Sequence, residues 1–161
     1  MRNHLGTRFF RLSAAERPIV LRAAAALVLV RPCVGVFGVA AVLRWVERSA
    51  SRHPHRTYQP NPTDQTHQAL IEPDRMVWLV EAAATHLRLP ATCLTRSLVA
   101  LWLLGRSGCV ATVSIGVNRD GYDSFAAHAW VSHNGRPLGP TPSKDYTTLS
   151  LTTINASGRH V

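Results

Sequence analysis

Apolar residues recur along this chain at two spacings, and the change from one to the other divides it. From Ile19 to Leu43 they are almost continuous, behind Ser13-Ala-Ala-Glu16, which reads as a capping box with Pro18 in the first turn. This predicts a helix through Ile19–Val30 to Arg31-Pro32, where the proline should end or kink it, and a second helix from about Val34 to Ser51. Ser51 to His67 has no apolar period and clusters proline and polar residues, as a linker does. Pro73-Asp74 then opens a helix with the stripe Met76, Val77, Val80, Ala84 and Leu87. Leu94, Leu98, Leu101 and Trp102 give the next helix its core stripe, and Arg106-Ser107-Gly108 closes it. After that the spacing shortens to two. Cys109–Val117 is rich in β-branched residues, Asn118–Asp123 reads as a turn, and Phe125–Ser132 is a second strand. Asn134-Gly135 is a hairpin signal, followed by a short return strand near Arg136–Leu138 and a last edge strand over Tyr146–Ile154. The fold class is therefore α+β: helices first, then a small antiparallel sheet packed on the helix that starts at Cys93. The expected organisation is an N-terminal helical region over residues 1–56, a linker over 57–72 and an α+β domain over 73–161.

Composition narrows the function classes. With 161 residues, 46% of them hydrophobic, the chain can bury a core. Its net charge of +9 is unevenly placed, since ten arginines stand against Glu16 and Glu47 through Arg56, a balance of +8. These arginines lie among aliphatic residues, without the aromatic interleaving of a nucleic-acid platform, so no nucleic-acid partner is expected. The first apolar stretch is broken by Arg22, Arg31 and Pro32 into pieces short of the roughly 20 residues a bilayer needs, so contact with a membrane is expected only without spanning. The run starts late and no Ala-x-Ala follows, which argues against a signal peptide. Three cysteines with neither metal spacing nor an even disulfide count suit a reducing cytoplasm. No metal site and no nucleotide-binding glycine loop is visible, so no cofactor is expected.

One cysteine and one histidine stand out. A thiol attacks as thiolate, and a helix N-terminus or a neighbouring imidazolium favours that form. Thr92 is a good N-cap, which makes Cys93 the first helical residue, on a face shared with the small Ser97 and Ala100. His128 lies mid-strand between alanines, with Ala126 and Trp130 on its face and room to reach a helix. Each residue alone has an ordinary structural explanation, a small buried thiol or a satisfied histidine.

Together they carry a resemblance. Cys93-Leu-x-Arg-Ser-Leu-x-x-Leu-Trp-x-Leu104, Ser114-Ile-Gly-Val117 and Ala127-His-Ala-Trp-Val131, followed by Gly135-Arg-Pro-Leu138, resemble the transglutaminase-like cysteine peptidases of lasso peptide biosynthesis, often called B2 proteins. The likeness is close from about Asp74 to Leu138 and loose over the N-terminal helices. It implies a transglutaminase-like or papain-like core in which Cys93 is the nucleophile and His128 the base. It implies removal of the leader from a ribosomally made precursor, so that a macrolactam-forming cyclase can act on the freed core. It implies two further partners, the precursor peptide and a separate leader-recognition protein, because the chain lacks room for that domain. The family's third catalytic group is an aspartate about a dozen residues after the histidine; here that stretch reads Pro137-Leu-Gly-Pro-Thr-Pro142, and the only later carboxylate is Asp145. Asp145 is the preferred candidate for the role. Two other readings stay open: a transglutaminase or acyl-transferase that passes the same thioester to an amine, and a non-catalytic scaffold for precursor and cyclase.

Overall fold

The computed structural model describes residues 12–51, 71–89, 91–120, 124–139 and 147–154. Among these residues four helices, α1 (Arg17–Phe37), α2 (Val39–Ser51), α3 (Pro73–His86) and α4 (Cys93–Arg106), precede four strands, β1 (Ala111–Asp120), β2 (Ser124–His133), β3 (Arg136–Pro137) and β4 (Thr147–Ile154). The strands form one antiparallel sheet in the order β3-β2-β1-β4, with β4 on an edge as expected. The α+β arrangement read from the sequence is the one observed.

α1 differs from its sequence reading. It runs unbroken through Pro32 to Phe37, and the break comes at Gly38, whose φ of 78° leaves the helical region. The cost of Pro32 is one lost hydrogen bond to the carbonyl of Val28, and both residues are exposed, so water can serve that carbonyl. α2 accordingly starts at Val39 rather than Val34. Its 21 residues make α1 long and apolar enough to cross a membrane, so the argument from short pieces fails. One face of α1, however, carries Val20, Ala23, Leu27 and Val30 into the same core as Leu79, Leu98, Leu101 and Val113. The hairpin is tied down at its base as well. Glu16 accepts from the Ser13 backbone N–H at 2.8 Å, half of the capping box, and from Arg75 Nε on α3 at 2.6 Å. The Arg75 bond, chiefly, holds the Glu16 carboxyl below its ordinary value.

α3 and α4 end in the same way. Arg88 (φ 48°) and Gly108 (φ 80°) take the left-handed conformation, and the next N–H reaches back five residues, Leu89 to Ala84 and Cys109 to Leu104. This turn throws Leu87 outward, half-exposed, contrary to its place in the predicted stripe; Leu79, fully buried, takes up the core instead. In the sheet, Asn118, Arg119 and Asp120 were expected in a turn but pair with Ala126, Phe125 and Ser124, because the β1–β2 ladder continues past the β-branched run. Asn134 (φ 51°) and Gly135 (φ 77°) both sit in the left-handed region and close the β2–β3 hairpin. The chain leaving β3 is anchored on α3: Asp74 accepts from Arg136 and from the Gly139 N–H. Gly139 itself has φ 76°, and a Cβ there would stand 2.9 Å from Val77 Cγ1, so glycine is required. The proposed linker lies outside the described residues except for Ile71 and Glu72.

Candidate active site

Cys93 is the first residue of α4. Thr92 before it is extended (φ −75°, ψ 165°), and its Oγ1 accepts the Thr95 N–H at 3.3 Å, while its carbonyl accepts the Arg96 N–H at 3.1 Å. The cap thus fixes where the helix begins and leaves the N–H groups of the first turn pointing past the sulfur. Negative charge developing there faces the positive end of the helix dipole. The Cys93 thiol is free and half-buried.

His128 comes from the sheet. In β2 it pairs with Gly116 of β1, so no side chain stands opposite it across the ladder. Its ring stacks on Trp130 two residues on, with centroids 6.2 Å apart and planes 19° from parallel. The alternation read from the sequence, which put His128 and Trp130 on one face, is thereby realised.

The two meet at a cavity of about 320 Å³. α4 contributes Cys93, Arg96, Ser97 and Ala100; α3 contributes Val77, Val80 and Glu81; β2 contributes His128 and Trp130; Leu138 closes the end beyond β3. The small Ser97 and Ala100 leave room beside the thiol, as their pattern suggested. Trp130 is both core and wall, buried yet lining the cavity. Arg96 Nη1 donates to Glu81 Oε2 at 2.9 Å, while its buried Nε finds no partner among the described residues. The Glu81–Arg96 pair went unnoticed in the sequence; the only signal was Arg96 at i+3 from Cys93, on the adjoining helix face. Asp145 lies outside the described residues. Among the described residues no three His, Cys, Asp or Glu side chains could hold a metal ion.

A contact between another cysteine and histidine, Cys109 and His133, escaped the sequence reading. Cys109 Sγ lies 3.3 Å from His133 Nδ1, which is in turn 2.6 Å from the Val110 carbonyl. A carbonyl only accepts, so that short contact puts the proton on Nδ1. His133 Nε2 is then the acceptor for Asn134 Nδ2 at 3.2 Å. The nitrogen facing Cys109 is therefore a donor and cannot take the thiol proton. Burial pushes the Cys109 thiol up to about 11. Cys109 belongs to the core.

The chain matches no curated protein and no solved structure. A family model does match, over residues 33–151, a span that takes in α2, α3, Cys93, His128 and most of β4. That match covers well over half of the chain and agrees with a helix begun by Cys93 and packed on an antiparallel sheet: the protein belongs to the transglutaminase-like superfamily.

Proposed function

We propose that this protein is a cysteine endopeptidase that removes the leader from a ribosomally synthesised lasso peptide precursor. The observation that carries the chemistry is the shared cavity: Cys93 at a helix start and His128 on the facing sheet line one space open to a substrate. The superfamily match supports thioester chemistry. The motifs around Cys93 and His128 resemble those of the lasso peptide peptidases, and this supports the substrate.

The reaction follows from those positions. His128 takes the proton of Cys93 as sulfur bonds to the carbonyl carbon at the leader–core junction. The charge that forms on the carbonyl oxygen meets the Cys93 N–H, one donor of an oxyanion hole. Collapse breaks the C–N bond, and His128 returns the proton to the leaving nitrogen, which becomes the amino terminus of the core. The leader remains as a thioester on Cys93. Water deprotonated by His128 attacks it, the C–S bond breaks, the thiol regains its proton, and the leader departs as a carboxylate. Arg96, braced by Glu81, places positive charge on the cavity wall beside Cys93, where it favours a backbone carbonyl of the bound peptide. Asp145 would orient His128, a role whose loss lowers the rate without changing the chemistry.

The match to the superfamily fits acyl transfer to an amine as well. Mass spectrometry of the precursor after incubation with the protein and its leader-binding partner separates these readings. Wild type should yield free leader acid and core, Cys93→Ala neither, and Asp145→Ala the same products more slowly. A leader–amine adduct formed with an added amine donor would establish the transferase reading, and processing by Cys93→Ala at the wild-type rate would refute both.

A further inference from the structure

α1 is apolar on two sides. One is the core face already described; the opposite side carries Leu21, Val28, Leu29 and Val36, all exposed. At about 100° per residue these occupy a sector free of charge, bordered by Arg22 on one edge and by Arg17 and Arg31 on the other. The apolar surface continues over the hairpin tip, where Val36 is 75% and Phe37 68% exposed. Behind the tip, Leu29, Cys33 and Phe37 of α1 face Ala41 and Trp45 of α2 across an apolar groove of about 440 Å³.

Arg31 precedes Phe37 by six residues and Arg44 follows Gly38 by six, so on both arms an exposed arginine stands about 9 Å from the tip at about 1.5 Å per residue. Interfacial helices seat their apolar parts roughly 5–10 Å into the boundary of a bilayer, with long cationic side chains reaching the phosphates. Arg48, also exposed, follows Arg44 by one turn. The region through Arg56 carries a balance of +8.

We propose that the α1–α2 tip docks the protein on an anionic lipid bilayer, with Val36 and Phe37 inserted and the exposed arginines of both helices, Arg31 and Arg44 among them, beside the phosphates. The arrangement is peripheral. Spanning would strip Val20, Ala23, Leu27 and Val30 from the core, whereas docking uses only surface that the fold leaves exposed. α1 carries exposed Arg17, Arg22 and Arg31 and no carboxylate, so its apolar sector suits a partner that offers hydrocarbon rimmed by anions, and this charge match sets a bilayer above a protein groove.

Flotation of the purified full chain tests it, with vesicles of phosphatidylcholine alone and with added phosphatidylglycerol. Wild type should float with the anionic vesicles, at least about ten-fold more than with the neutral ones, and less as salt rises. Phe37→Glu with Val36→Glu should abolish flotation while circular dichroism and the thermal midpoint stay unchanged, since both side chains are exposed. Arg44→Gln should weaken binding by roughly five-fold, and adding Arg48→Gln should weaken it further. Equal recovery with neutral and anionic vesicles, or flotation of the double glutamate variant at the wild-type level, overturns the proposal. So does a wild type that ignores both vesicles, and light scattering that then shows a dimer broken by Phe37→Glu would assign the face to a second copy.

Discussion

Two cysteine–histidine neighbourhoods stand out among the described residues, and only one has the features that the proposed chemistry requires. At Cys109 the thiol and the His133 ring are 3.3 Å apart, yet the facing nitrogen already donates to the Val110 carbonyl, the sulfur is buried, and its pKa is pushed up to about 11. At Cys93 the thiol opens a helix, stands half-buried, and shares a cavity with His128. The difference teaches that closeness to an imidazole does not make a nucleophile. The sulfur also needs a place where its negative charge is stabilised and space for a carbonyl carbon.

The comparison can be broken most directly at sulfur. Cys93→Ala should lower precursor processing by at least about a thousandfold, measured by mass spectrometry, whereas Cys109→Ala should keep the rate and cost about 1–2 kcal/mol in urea unfolding. Next comes the base. His128→Ala should cost roughly 10²–10⁴ in rate, and His133→Ala no more than about two-fold. Alkylation sharpens the contrast without a substrate. With a pKa of about 11, Cys109 is thiolate in about one molecule per thousand at pH 8, so iodoacetamide followed by peptide mapping should label Cys93 at least about ten-fold faster. Labelling of Cys109 should climb about ten-fold per pH unit while the fold persists. A smaller effect is expected at the cap: Thr92→Ala should lose about 1 kcal/mol by thermal unfolding and slow processing, and Thr92→Ser should restore both. The smallest concerns a group far from either pair. Glu16→Gln should lower stability by about 1 kcal/mol at pH 7 with the rate intact. Because its folded-state pKa is lowered, that contribution is present above the ordinary glutamate value of 4.5 and fades as pH falls below it, so the two proteins should converge in acid.

Much of the site was legible because it rests on local rules. The Thr92 cap, the small residues one and two turns after Cys93 and the alternation around His128 are short-range patterns, and each has the geometry its pattern implies. What escaped was set by contacts between distant segments. Arg96 finds Glu81 on another helix, and His133 finds Cys109 across the sheet, neither of which a spacing rule reports. Pro32 misled because its penalty depends on whether the orphaned carbonyl meets water, and exposure is a property of the packed molecule. Leu87 misled because helical periodicity says nothing of where the helix stops; the left-handed Arg88 ends it first.

The Glu16–Arg75 bond joins residues 59 apart, and it carries a consequence for the order in which the chain assembles on the ribosome. α1 emerges well before α3 and α4, the helices that receive Val20, Leu27 and Val30. Until they follow, the nascent hairpin shows apolar surface on both sides of its first helix. The segment from Cys93 to His133, by contrast, is continuous in sequence, and α4, β1 and β2 can pack as soon as they are made. Non-local closure is the slower step. Synthesis therefore delivers the most adhesive element of the protein first and its cover last, and the nascent hairpin is the species a chaperone or a nearby bilayer would meet.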